Sequence, residues 1–250
     1  MSCASTSLVF SIGANKNGAT AVEFDVDLTV DDQVVVIHDD TVDRTTDGTG
    51  FVNEMTLELI RKLDASANHP KRDKYPNEVV PTLEEVVRLC LDLKLKMYID
   101  VKRASSVMAQ KICEMYQMYP DLYKSAAVCS FYPRAIYMVK KMDSQIVTGL
   151  THRRGILSQE QDGSYRNNSA AKNFILIIVD VLLEWAIYHF LWYFCGASVF
   201  LICNKDASVN IIQDLKKRDL YVILWTVNDP FEKKYLEEVL DVPYMTDTLE

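Results

Sequence analysis

Glu23 and Asp25 stand two residues apart in the run Val22-Glu-Phe-Asp-Val-Asp-Leu28, and His38-Asp39 closes a second apolar run, Val34 to Ile37. Side chains two apart on a strand share a face. Both carboxylates can therefore grip one hard cation while an imidazole stands at the end of the neighbouring strand. An ion held by oxygens beside a group that carries a proton is suited to cleaving a phosphoester. Alternation alone does not decide the matter. Asp27 continues it, and a row of carboxylates is equally a solvated sheet face. The His-Asp pair tips the reading, because a histidine ending a strand suits the mouth of a parallel barrel. Asp31 and Asp32 read as turn residues joining the two runs.

Those residues need strands to hold them, and strand-like runs alternate with helical patterns along most of the chain, as in βα units around a parallel sheet. Strands are expected over Ala21–Leu28, Val34–Ile37, Lys96–Val101, Ala126–Phe131, Ile146–Thr151, Tyr221–Val227 and Tyr244–Met245. Helices are expected over Thr56–Leu63, over a segment entered through the capping box Thr82-Leu-Glu-Glu85 and ending near Leu93, and over Val107–Tyr119, Pro133–Met142, Ser208–Arg218 and Phe231–Leu240.

At 250 residues the chain has the size of one (β/α)₈ barrel. Its 49% hydrophobic and 25% charged residues exclude a disordered chain. A net charge of −8 excludes nucleic acid as a partner. The six cysteines show no Cys-x-x-Cys spacing and read as buried thiols rather than disulfides or a zinc site. Met1 to Ile12 lacks the basic start and long apolar stretch of a signal peptide.

Between Thr151 and Asp206 the βα rhythm breaks. Arg153 to Ser169 is polar and contains a glycosylation sequon, Asn167-Asn-Ser169, which matters only in a secretory lumen. Phe174 to Cys203 is almost wholly apolar, and Trp185 to Cys203 runs 19 residues without Asp, Glu, Lys or Arg. A spanning helix, an amphipathic insertion dipping into lipid and an ordinary buried helix plus strand all fit. The dipping insertion is favoured, since Ala197 to Cys203 is needed as a strand and Trp185, Trp192, Tyr193 and Phe194 suit an interface.

Glu-x-Asp, His-Asp, Thr41-Val-Asp-Arg-Thr-Thr-Asp-Gly-Thr-Gly50, Val80-Pro-Thr-Leu-Glu-Glu85, Asp100-Val-Lys102, Trp225-Thr-Val-Asn228 and Thr246-Asp247 together resemble the glycerophosphodiester phosphodiesterase family, in family order over nearly the whole chain. Asp-Val-Lys, Leu150-Thr-His-Arg153 and the apolar insertion resemble its membrane-associated branch. The resemblance implies a (β/α)₈ barrel of the phospholipase-C-like type. It also implies a single domain over 1–250 with an apolar insertion at 153–196. The reaction it implies is hydrolysis of a glycerophosphodiester to sn-glycerol 3-phosphate and an alcohol such as choline, ethanolamine or inositol. Glu23, Asp25 and Asp100 become the ligands of a divalent metal, Mg²⁺ ahead of Ca²⁺, with Asp100 standing where most of the family has glutamate. His38 becomes one half of an acid–base pair. Lys102 becomes a phosphate contact, Trp225 either a wall of the glycerol pocket or a cap on the core, and Arg44 either faces the phosphate or pairs with Asp43 or Asp47 to hold its loop. Lipid contact through 174–196, at an endomembrane or the plasma membrane with a lumenal or extracellular catalytic face, follows from the branch.

The family's opening strand with His-Arg-Gly, and the Glu-Asn-Thr after it, have no counterpart here; resemblance begins near Lys16-Asn-Gly-Ala19. The expectation is a barrel without its first strand, with some segment such as Thr6–Ser11 covering the gap, and impaired catalysis or an inactive isoform that binds membrane or a protein partner. His152-Arg-Arg-Gly155 is no replacement, because it follows a strand in the middle of the barrel. His69 and His189 read as structural.

Overall fold

The computed structural model describes residues 18–69, 72–160 and 162–248; the segment expected to cover the gap, Thr6–Ser11, lies outside them. A boundary at Thr148–Gly149 divides the chain into two compact units.

In the first unit, strand β1 (Ala21–Leu28) turns back antiparallel onto β2 (Val34–Val36), with Val26 opposite Val36. The turn is held by Asp31, whose Oδ1 accepts from the Thr29 hydroxyl at 2.6 Å and from the Leu57 N–H at 3.0 Å. A single helical turn, α1 (Leu57–Ile60), starts on the Thr56 hydroxyl. Helix α2 (Leu83–Asp92) starts on the expected capping box, with Thr82 and Glu85 bonding each other's backbone. Strand β3 (Lys96–Val101) is parallel to β1 with Asp100 beside Asp25, α3 (Ser106–Met118) follows, and β4 (Ala126–Ser130) is parallel to β3 with Cys129 beside Asp100. Helix α4 (Pro133–Met142) starts on a proline, whose missing N–H costs nothing in a first turn.

Alternation sorts this sheet. Val22, Phe24, Val26 and Leu28 of β1, Met97, Ile99 and Val101 of β3 and Val128 of β4 pack with α2, α3 and α4 in one buried cluster. Glu23, Asp25 and Asp27 therefore take the opposite face, together with Tyr98, Asp100 and Cys129. The long segment between β2 and α2 has a smaller core of its own, Val35, Ile37, Val42, Val52, Ile60 and Val80.

The second unit repeats the same logic. Strands β5 (Val147–His152, in this unit from Gly149), β6 (Val199–Cys203) and β7 (Tyr221–Trp225) run parallel in chain order. Between β5 and β6, helix α5 (Ala170–Ala186) continues through a wider turn to a last turn at Trp192–Cys195, where Gly196 (φ 73°) stops it in the left-handed region. Helices α6 (Val209–Lys216) and α7 (Pro230–Tyr235, continued by a wider turn over Leu236–Leu240) follow β6 and β7. Phe200, Ile202, Val222 and Leu224 face these helices in one cluster. In both units strands followed by helices on one face make the βα repeat of a (β/α)₈ barrel.

Element boundaries mostly sit within two residues of expectation. Two differ for a physical reason. The apolar helix begins at Ala170, on the Ser169 hydroxyl, so the stretch long enough to cross a membrane is Ala170–Cys195, 26 residues, rather than Trp185–Cys203. Tyr244–Met245 forms only a bridge to Leu224, because Pro243 beside it has no N–H to extend the ladder.

Candidate active site

Register and parity bring three carboxylates together. Glu23 and Asp25 come from β1 and Asp100 from β3, and one oxygen of each lies within 4.8 Å of the others. Like charges so close repel unless a cation is shared among them, and an all-oxygen donor set suits a hard divalent ion. The cluster could hold a metal ion. Lys102, two residues beyond Asp100, puts its Nζ 2.6 Å from Asp25 Oδ1. Burial alone would pull its ammonium pKa down, but Asp25, Asp100 and Glu23 outweigh that, and the net shift is upward. Beneath them Cys129 is fully buried, its thiol pushed up by burial and by Asp100 and Glu23.

His38 follows β2 and is fixed by the next residue, since its Nδ1 lies 2.6 Å from Asp39 Oδ1. Arg44 grips the same carboxylate with two groups, Nε to Oδ2 at 2.5 Å and Nη2 to Oδ1 at 3.1 Å. Asp39 is thus a loop-holding partner of Arg44, beside the Asp43 and Asp47 that its sequence neighbourhood offers. Those two brace the loop separately, accepting the N–H groups of Gly50 and Asp64. Asn68 adds bonds to the carbonyls of Asp43, Arg44 and Thr46. The hydrogen bond from His38, opposed by burial and aided by Arg44, holds the Asp39 carboxyl well below the usual range. A depressed carboxyl contributes stability above its unfolded pKa and loses it as pH falls through the folded one. Asp39→Asn should therefore lower the Tm at pH 7, and the difference from the parent should shrink below about pH 4, near the unfolded carboxyl pKa, which thermal melts across pH would show.

In the second unit Trp225 ends β7 beside Cys203, on the sheet face turned away from the helices. The motif residues after it form a clasp. Asn228 Oδ1 accepts from the Asp247 N–H at 2.9 Å and from the Thr246 hydroxyl at 3.0 Å. His152 pairs in register with Ile202, so it faces the helices, where its ring meets Tyr188 edge-on at 5.2 Å. Burial lowers its pKa. Arg153 spends its guanidinium on loop carbonyls, chiefly that of Gln159 at 2.8 Å. His189 bonds the Trp185 carbonyl and stacks on its ring, the structural role expected of it.

Strands feeding helices, with strand-borne carboxylates that could hold a metal and a braced histidine, fit a hydrolase of the barrel class. The sequence profile of the glycerophosphoryl diester phosphodiesterase family matches residues 9–250, and the chain belongs to that family. It is 42% identical to human glycerophosphodiester phosphodiesterase 1 over 236 residues, 94% of this chain and 71% of that protein. Over 143 residues it is 37% identical to a glycerophosphodiester phosphodiesterase of Caldanaerobacter subterraneus, 56% of this chain and 58% of that one. Its fold matches an Oleispira antarctica phosphodiesterase in complex with its product sn-glycerol-3-phosphate, with TM-score 0.70, 20% identity, and 96% and 86% of the two chains covered. The Agrobacterium tumefaciens glycerophosphodiester phosphodiesterase gives TM-score 0.71 at 20% identity, covering 98% and 90%.

Proposed function

We propose that this chain hydrolyses a glycerophosphodiester to sn-glycerol 3-phosphate and an alcohol, with Glu23, Asp25 and Asp100 holding a divalent ion, Mg²⁺ ahead of Ca²⁺. One domain over 1–250, with 153–196 inserted in it, is the organisation that goes with this reading. The observation that carries it is the convergence of three carboxylates from two strands beside an ammonium, within a family that cleaves this substrate class. When bound, such an ion draws charge from a non-bridging phosphate oxygen and acidifies an attacking hydroxyl. Lys102 brings a second positive charge toward the phosphate. Trp225 is proposed as a glycerol contact on the family resemblance alone, and Arg44, besides holding Asp39, lends the loop its charge.

His38 supplies the proton transfer. With Nδ1 committed to Asp39, Nε2 is left to protonate the leaving alkoxide or to take the proton of the nucleophile, water or the glycerol 2-hydroxyl. The second proton-transfer group that the family resemblance places ahead of β1 has no counterpart before His38, since residues 1–37 contain no histidine. Turnover by this chain is therefore expected to be low. The test is release of glycerol 3-phosphate with Mg²⁺ or Ca²⁺, run beside Asp25→Asn.

A second reading, a non-catalytic chain that binds membrane, is favoured by one feature: Phe174, Ile178, Val181, Leu182 and Trp185 of α5 are all exposed. We read this face as lying on a bilayer at an endomembrane or the plasma membrane, not as part of a helix through it. Asp180, near the middle of α5, is buried and accepts the N–H groups of Leu157 and Ser158 at 2.9 Å each, and Glu184 pairs with Arg154 at 3.1 Å. Spanning would carry this polar loop into hydrocarbon, at several kcal/mol for each polar group left unsatisfied. Burying one such side chain is worth about 2 kcal/mol, so Leu182→Ser with Trp185→Ser should weaken co-sedimentation with phosphatidylcholine vesicles at least tenfold. A high-pH carbonate wash should release the parent chain; retention in the pellet is the sign of spanning. Binding of a glycerophosphodiester without turnover would favour the non-catalytic reading.

A further inference from the structure

Asp27 continues the row of Glu23 and Asp25 on the inner face of β1 but lies outside the carboxylate cluster. It is 1% exposed, and its Oδ1 takes the Nε–H of Arg103 at 2.6 Å and the N–H of Leu28 at 2.8 Å. Its Oδ2 has no hydrogen-bond partner among the described residues. Arg103 directly follows Lys102 at the end of β3, and its Nη2 lies 3.9 Å from Oδ1 of Asp40, the neighbour of Asp39. One residue, attached to the strand end that carries Asp100 and Lys102, thus reaches with its guanidinium both β1 and the loop that carries His38.

We propose that Arg103 is a positioning residue: anchored on Asp27, it holds the end of β3 in place so that Asp100 meets Glu23 and Asp25 at the spacing a divalent ion needs. The proposal rests on the metal reading above. A buried carboxylate requires a partner, and the rigid guanidinium fork fixes direction as well as charge, which a lysine does not. Groups that orient the ligands of a metal are typically worth about 10- to 100-fold in affinity or activity.

The test is Mn²⁺ titration of the full chain, read by the loss of free-ion EPR signal, for the parent, Arg103→Lys and the double variant Asp27→Asn/Arg103→Met. The double variant removes one charge of each sign, so the net charge of the site is unchanged and no buried carboxylate is left alone. A drop in affinity then reports geometry, not field. The expected result is Mn²⁺ binding about 10- to 100-fold weaker in the double variant at a parent-like Tm, with Arg103→Lys in between. Parent-like Mn²⁺ affinity in the double variant overturns the role given to Arg103, and a raised KM alongside it assigns Arg103 to the substrate instead. A parent chain that binds no Mn²⁺ overturns the metal reading, and this role with it.

Discussion

Asp25→Asn should reduce release of glycerol 3-phosphate by about 10³-fold or more. Asp25 does two things at once: its carboxylate belongs to the three-oxygen cluster, and its Oδ1 holds Lys102 at 2.6 Å. The amide keeps the shape but gives up the charge that would bind an ion and orient the ammonium. Metal stabilisation of phosphoryl charge is worth several kcal/mol, and each 1.4 kcal/mol is a decade in rate, so three decades is the natural scale. Thermal melts supply a second readout. Mg²⁺ that binds only the folded state raises Tm by mass action, and the asparagine variant should lose that rise while keeping a cooperative transition. A variant with parent activity would remove the carboxylates from the chemistry.

His38→Gln should lower kcat by about 10²- to 10⁴-fold, the usual range for one general acid or base, with KM little changed. Glutamine can still hydrogen-bond but cannot exchange a proton near neutral pH. The bond to Asp39 and the Arg44 grip on that carboxylate keep the surrounding loop in place, so the loss belongs to proton transfer and not to unfolding. Steady-state kinetics separates the two. A KM effect with intact kcat would make His38 a binding group.

Strand parity made the shared face of Glu23 and Asp25 legible from residue order, while Asp100 came in through the family resemblance. Once Glu23 and Asp25 were placed on one strand and Asp100 on another, the parallel register had only to align Asp25 with Asp100 for the cluster to form. Capping chemistry was legible for the same reason: Thr82 and Glu85 need only local geometry. Contacts made by irregular backbone were not. Residue order leaves Arg44 open to the phosphate or to Asp43 or Asp47, and does not point to Asp39, onto which the loop folds it. Arg103 was missed because β3 ends at Val101, after which alternation no longer says where a side chain points. Asp27 offered the missing signal, a third carboxylate on the inner face in need of a cation. The apolar helix shows the converse limit. Composition marks it as apolar, but Asn173, Asp180 and Glu184, bound to the loop before it, distinguish its inner stripe from its outer one.

The small core formed by Val35, Ile37, Val42, Val52, Ile60 and Val80 has a kinetic meaning. A histidine carried on a bare loop must be ordered each time substrate arrives, and that entropy is lost at the moment of reaction. His38 sits instead on a segment already packed around its own apolar residues, so the cost of ordering it is incurred once, during folding. The segment opens as a cooperative patch or not at all. In the proposed reaction the imidazole would then already be in place when the diester arrives.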